Sequence, residues 1–242
     1  MSPEDSLAEI NFDFKDYPSK LNLGCGFDRK EGYLNIDMNE FHKPDLVADI
    51  CDLKILPSNY YEEIIAQDVL EHIERGRTKQ VLAEWNRLLK MNGILKIQVP
   101  NLLGLFSLFE KKENQSIEKQ KELVQCLFGT QAYSGDFHYT SFTEVLLRHY
   151  LSVTGFSILQ LSIRDEWLFV GVAEKIKECE LGELFNTKDY QEFLTKAYIT
   201  ILKRVPDRGG FDYYLSKLES GEMTKDLIVN ILLNSNERKN LR

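Results

Sequence analysis

Lys20-Leu-Asn-Leu-Gly-Cys-Gly26 is a short apolar run that ends on two glycines. A run of this length bounded by glycine reads as a buried strand. Glycines directly after a strand let the backbone approach a ligand closely and leave its amides open to a carboxylate or phosphate. Working outward, Gly32-Tyr-Leu-Asn-Ile-Asp37 is a second short strand that stops on a carboxylate, Asp45-Leu-Val-Ala-Asp49 a third, and Glu63-Ile-Ile-Ala-Gln67 a fourth. Gly93-Ile-Leu-Lys-Ile-Gln-Val99 is a fifth, closed by Pro100, which has no N–H for the ladder. Val81, Leu82, Trp85, Leu88 and Leu89 recur at helical spacing and predict a core-facing helix, with Met91-Asn92-Gly93 as its stop. Ser141-Phe-Thr-Glu144 has the form of a capping box ahead of a helix through Leu146, Leu147, Tyr150 and Leu151. Residues 156–163 and 166–173 read as a closing hairpin turned at Arg164-Asp165. Strands alternating with helices and finished by a hairpin predict an α/β fold, a mostly parallel sheet with one antiparallel strand. Glu110 to Lys121 is polar without clear periodicity, and reads equally as a mobile surface segment or a solvated helix start.

The chain has 242 residues, 43% of them hydrophobic and 11% aromatic, enough to bury a core, so a disordered protein is excluded. The formal net charge of −8 argues against binding nucleic acid or anionic lipid through charge. From Glu174 onward, basic and acidic residues balance at 12 each, so residues 1–173 carry the whole excess. No apolar run approaches the roughly 18–20 residues of a membrane span, and Met1 to Asp16 has the character of neither a signal nor a transit peptide. Cys25, Cys51, Cys126 and Cys179 are scattered, which fits free thiols in the cytoplasm. His42, His72, His138 and His149 are equally dispersed, so no metal site is expected.

Gly24 and Gly26 alone make a weak signal, and a dinucleotide fingerprint would need glycine where Arg29 stands. Asp37, Asp49 and Asp68 change the weight. Each falls at or beyond the carboxyl end of a strand, where open α/β sheets bind ligands, and Asp37 is placed to accept ribose hydroxyls. Turn glycines and capping carboxylates are the bland alternative. Leu21-Asn-Leu-Gly-Cys-Gly26, Asn35-Ile-Asp37, Ala48-Asp49-Ile50, Gln67-Asp-Val-Leu-Glu-His72 and Gly93-Ile-Leu-Lys-Ile resemble, in order, the motifs of class I S-adenosylmethionine-dependent methyltransferases. The resemblance is nearest to the bacterial branch found beside glycosyltransferases in surface-polysaccharide gene clusters.

That resemblance implies a Rossmann-like seven-stranded sheet with S-adenosyl-L-methionine as cofactor. It implies that Gly24, Cys25 and Gly26 contact the methionine part, Asp37 the ribose, Asp49 and Ile50 the adenine, and Gln67 and Asp68 the sulfonium and amino acid moiety. A cofactor that carries a sulfonium and an ammonium suits a carboxylate-lined cleft, whereas a phosphate would want Lys or Arg. One departure stands out: only Phe27 to Gly32 separate the glycine loop from the second strand, too few for the usual first helix.

If the acceptor is a hydroxyl, a base must remove its proton as the new bond forms. His138, in Gly135-Asp-Phe-His-Tyr139, is the favoured base, with loop packing as its other reading. His72 is the second candidate, with a structural role as the alternative. Asp136 either orients His138 and meets the acceptor or is a turn residue, and Tyr139 is a candidate acceptor contact. Trp85 is core.

After Ala173 the character changes, and every element beyond a charged stretch reads as helical. Arg204-Val-Pro-Asp-Arg-Gly-Gly-Phe-Asp-Tyr-Tyr214 resembles the core of a small helical domain of unknown function appended to bacterial surface-glycan proteins, with Tyr214 where Trp is usual. Docking or dimer contact, a sugar-binding aromatic and plain core packing are its three readings. The expected organisation is an N-terminal extension at 1–17, a methyltransferase domain at 18–173, a linker at 174–186 and a helical domain at 187–242. The expected function is a cytoplasmic O-methyltransferase acting on a hydroxyl of a sugar or surface glycan, with glycosyltransferase chains as partners and homo-oligomers formed through the helical piece. A small-molecule or N-methyltransferase, and a cofactor-binding module without activity that recruits glycan-assembly partners, are the alternatives.

Overall fold

The computed structural model describes residues 13–133 and 135–241; the greater part of the N-terminal extension expected at 1–17 lies outside the described residues. Seven strands form one sheet: β1 (Lys20–Leu23), β2 (Leu34–Asp37), β3 (Leu46–Val47), β4 (Tyr61–Gln67), β5 (Leu89–Pro100), β6 (Phe156–Arg164) and β7 (Leu168–Lys175). Their order is β3-β2-β1-β4-β5-β7-β6, and β7 alone runs antiparallel to its neighbours. The register sets Leu21 between Leu34 and Ile64, and Leu23 between Ile36 and Ala66, all buried. Strands covered on both faces need such near-continuous apolar runs, which is why these short segments read clearly in the sequence.

Helix α1 (Thr78–Leu88) lays Val81, Leu82, Trp85 and Leu88, all fully buried, against the sheet. Trp85 also donates its indole N–H to the Ile50 carbonyl at 3.2 Å, satisfying the one polar atom of a large apolar ring. The helix ends at Leu88 and the chain enters β5 at once, with Asn92 at φ 64°; Met91-Asn92-Gly93 is therefore a kink inside a strand and not the end of a helix. Residues 110–121 resolve into the end of α2 (Leu102–Glu110) and the start of α3 (Ile117–Phe128), whose Ser116 side chain accepts from the Lys119 amide. Helix α4 (Glu144–Val153) is capped by Thr143, which accepts from the Leu146 amide, so the cap lies two residues later than the Ser141 box implies.

No helix lies between β1 and β2. The buried Asn22 and Asn35 side chains hold that loop instead. Asn22 donates to the Asp28 carbonyl at 2.9 Å, and Asn35 accepts from Asn22 and from the Lys30 amide at 2.9 and 2.8 Å. Asp45 closes the network by accepting from the Asn35 backbone and side chain and pairing with Arg29.

Beyond β7 the chain forms α5 (Gly182–Asn186), α6 (Tyr190–Ala197) running into a π turn at Tyr198–Leu202, α7 (Arg208–Glu219), α8 (Lys225–Asn234) and α9 (Asn236–Lys239). Leu184, Phe193, Leu194, Ile201, Ile228 and Val229 bury into a second core, separate from that of the sheet. Tyr214 packs against this core and Tyr213 stays exposed. Among the described residues, no helix is long and apolar enough to cross a membrane.

One buried ammonium group joins this piece to the sheet domain, and a second anchors the end of β7. Lys79 of α1, its side chain only 2% exposed, pairs with Asp226 at 2.9 Å, donates to Asn230 at 2.7 Å and lies over the Tyr150 ring. Lys175, fully buried at the end of β7, donates to Asn59 and to the Asn86 and Leu89 carbonyls at 2.7–2.8 Å, and pairs with Glu178 at 3.0 Å.

Candidate active site

The carboxyl ends of β1, β2 and β4 open into a cavity of about 450 Å³. Gly24 and Gly26 both take positive φ, 60° and 50°. At Gly24 a Cβ would overlap the Val69 side chain, so the turn packs only without one; at Gly26 a Cβ would meet nothing within 4 Å, because the space beside it is the cavity. Asp37 ends β2 with its carboxylate across that turn. It accepts from the Gly26 amide and from the Asn39 amide, both at 2.8 Å, and pairs with His42 at 3.1 Å. A carboxylate has about four lone-pair sites, so Asp37 keeps acceptor capacity toward the cavity.

Asp49 accepts from the Cys51 amide at 2.9 Å, its outer oxygen stands 4.0 Å from the Arg77 guanidinium, and it lines the cavity with Ile50 beside it. Asp68 follows β4 at φ 54°, a left-handed backbone that a non-glycine residue adopts only when its surroundings enforce it. Here Gln98 enforces it: its side-chain amide donates to both Asp68 oxygens at 2.8 and 2.6 Å, and its backbone carbonyl accepts from the Asp68 amide at 3.1 Å. The Gln98 carbonyl oxygen Oε1 is buried and unpartnered.

The chain then passes through Glu71 and His72. The Glu71 carbonyl accepts from the Tyr139 amide at 2.8 Å, and His72 Nδ1 bonds the Phe137 carbonyl at 3.2 Å, so segment 137–140 is fastened to this turn. His138 packs edge-to-face on His72 with ring centroids 4.7 Å apart, and its Nδ1 bonds the Cys126 carbonyl at 3.1 Å. Burial, with repulsion from His72, lowers the His138 pKa. Glu71 is 1% exposed, and burial pushes its carboxyl up to about 8.

Gly24, Gly26, Asp37, Asp49, Ile50, Asp68, His72 and Tyr139 therefore line one cavity. Cys25, Gln67, Asp136 and His138 do not. Cys25 is fixed by its amide to the Ile36 carbonyl, and burial pushes its thiol up to about 11. Gln67 pairs in the sheet with Gln98. Asp136 turns its carboxylate to the Thr130 hydroxyl, so it does not orient His138. His138 stands behind His72.

The sequence reading passed over His42, Tyr133, Arg77, Gln98 and Glu71. Phe27, Phe41, His42 and Tyr133 form an aromatic rim, with Phe27 and His42 ring centroids 4.7 Å apart and His42 and Tyr133 6.2 Å apart. Glu71 carried the one available signal, a charged residue inside the apolar Val69-Leu-Glu-His-Ile73 run.

Residues 21–97 match a family model described as a methyltransferase domain, and residues 180–242 match a domain of unknown function, DUF4214. No curated protein matches the chain. Among solved structures, a S-adenosylmethionine-dependent methyltransferase from Methanosarcina mazei aligns at 15% identity and TM-score 0.51, over 74% of this chain and 99% of that one. A 1,6-didemethyltoxoflavin N1-methyltransferase from Burkholderia thailandensis, bound to S-adenosylhomocysteine, aligns at 14% identity and TM-score 0.44, over 67% and 73%.

The residues present fit S-adenosylmethionine. Asp37, Asp49 and Asp68 line a space open at Gly26, and that carboxylate set suits a cofactor bearing a sulfonium, an ammonium and ribose hydroxyls. The chain therefore joins a seven-stranded sheet carrying a matched methyltransferase domain, with a cleft that suits S-adenosylmethionine, to a helical region matched by a domain of unknown function.

Proposed function

We propose that this enzyme transfers a methyl group to a hydroxyl of a sugar or surface-glycan acceptor. The observation that carries the proposal is the pair of imidazoles at the cleft, His72 on its wall and His138 packed on it. An amine attacks through its own lone pair, whereas a sugar hydroxyl is a poor nucleophile until a base takes its proton. Both rings hold backbone carbonyls through Nδ1, which must carry the hydrogen, so the neutral form of each ring has its lone pair on Nε2 for that proton. The cofactor supplies an electrophilic methyl on sulfur; the oxygen–carbon bond forms as the carbon–sulfur bond breaks, its electron pair staying on sulfur. His138 was the favoured base; its place behind His72 makes the two rings one basic unit, with His72 nearer the acceptor.

On this reading Gly24, Cys25 and Gly26 hold the methionine part through the backbone, Asp37 the ribose, and Asp49 and Ile50 the adenine. Gln67 supports Asp68 beneath the sulfonium. Tyr139 and Tyr133, exposed at the cleft, offer flat apolar faces to the C–H side of a sugar ring, and Asp136 borders their loop. The methyltransferase unit takes residues 18–173, the linker 174–186 and the helical unit 187–242, which docks glycosyltransferase chains or a second copy in the cytoplasm.

The test is transfer of labelled methyl from S-adenosylmethionine onto glycan acceptors against amines. Label on glycan hydroxyls is expected, with His72→Ala and His138→Ala each slowing turnover by about 10²–10⁴-fold while S-adenosylhomocysteine still binds. Label on amines alone, or undiminished turnover in both variants, overturns the proposal.

A further inference from the structure

Glu71, His72 and His138 each present one metal-ligating atom, and these three atoms lie within 4.8 Å of one another. Three ligands at about 2.0–2.2 Å from a shared ion stand roughly 3–4 Å apart, so the widest pair must close by about 1 Å, within reach of side-chain rotation. Three further features point the same way. One Glu71 oxygen, Oε2, is buried with no partner, and an unmet buried carboxyl oxygen is costly to leave so. Both imidazoles donate Nδ1–H to main-chain carbonyls, Phe137 for His72 and Cys126 for His138, the outer bond that metal-binding histidines use to fix tautomer and ring plane. The two segments that bring the ligands are already joined by the Tyr139 amide to the Glu71 carbonyl, so the cluster exists before any ion arrives.

We propose that Glu71, His72 and His138 form a binding site for one divalent first-row transition ion. Two imidazoles and one carboxylate suit zinc, manganese, iron or cobalt better than magnesium or calcium, which prefer oxygen throughout. Three protein ligands leave coordination positions open, the pattern of a catalytic site and not of a closed structural one. His72 lines the cleft, so an ion held there borders the acceptor space. The catalytic consequence rests on the proposed transfer to a hydroxyl and replaces the imidazoles as base: with the ion bound, both Nε2 lone pairs hold the metal, the acceptor oxygen coordinates to it, its pKa falls, and its proton leaves to solvent.

The experiment is titration of the untagged, full-length, metal-stripped protein with Co²⁺, read by visible absorption and calorimetry, alongside separate calorimetry with S-adenosylhomocysteine. One Co²⁺ per chain with a visible d–d band is expected. Affinity should fall at least about tenfold in Glu71→Gln, which keeps the side-chain shape, and in His138→Gln. Absence of a band in the wild type, or equal affinity in both folded variants, overturns the metal site, and the wild-type titration decides alone if a variant does not fold. Cofactor binding without cobalt binding removes this site and leaves the methyltransferase standing; label appearing only on amines removes the hydroxyl reading and leaves a measured metal site intact.

Discussion

Buried charge is handled in opposite ways at the two ends of this molecule. The Lys79 ammonium at the junction of sheet and helical domain, and the Lys175 ammonium at the end of β7, are surrounded by acceptors. At the cleft, Glu71 and Gln98 each bury a side-chain oxygen that no donor meets. Desolvating a polar atom without a partner is costly, so a protein keeps such atoms only where something else fills the gap. The buried ammonium groups away from the cleft are paired, whereas Glu71 and Gln98 keep spare acceptor capacity.

The largest test of that contrast is Lys79→Ala. It leaves Asp226 buried without its cation, and the expected loss is about 3–5 kcal/mol, read as an earlier denaturant midpoint and faster proteolysis between the sheet and the helices. Affinity for S-adenosylhomocysteine should hold under conditions where the variant is folded. Replacing both partners, as Lys79→Met with Asp226→Leu, should restore most of the loss, because no charge is then stranded. If the single variant is as stable as the wild type, the junction is not held by this pair.

Asp37→Asn makes the converse test at the cleft. Hydrogen bonds to charged groups contribute about 1.5–3 kcal/mol, so calorimetry should show S-adenosylhomocysteine binding weakened roughly 10–100-fold with the melting curve little moved. A melting loss without an affinity loss would make Asp37 a structural residue.

Glu63 sharpens the contrast at small scale. Burial alone would raise its carboxyl, but bonds from Lys96 at 2.8 Å and from Tyr33, with Lys20 nearby, outweigh burial and hold it below its ordinary value. A carboxylate with a lowered folded-state pKa stabilises the fold above the unfolded value and loses that contribution as pH falls through the folded one. The wild type should therefore lose a few tenths of a kcal/mol more than Glu63→Gln as pH falls below about 4.3, measured by urea melts. Parallel pH profiles would show that this pair contributes nothing.

The sheet was legible because each central strand is a short apolar run ended by glycine, proline or a carboxylate, and the cleft carboxylates stand at those ends. What escaped was whatever depends on contact between distant segments. His72 and His138 lie 66 positions apart, so their dispersal read as evidence against a metal, yet the Tyr139–Glu71 backbone bond brings them ring to ring. Asn92 looked like a helix stop because a left-handed residue ends helices as readily as it kinks strands. Glu71 went unread because nothing in a Leu-Glu-His string says which side chain faces inward.

The loop between β1 and β2, held by Asn22 and Asn35 in place of a helix, has a consequence for competition. Without a helix N-terminus aimed at the cofactor there is no dipole to reward a polyphosphate, and the acid lining repels one. ATP and NAD share the adenosine of S-adenosylmethionine but hang anionic phosphates from the ribose where it carries a sulfonium. A cleft of this kind discriminates among adenosine compounds by the sign of what hangs from the ribose, and nucleotide pools leave it open to its own cofactor.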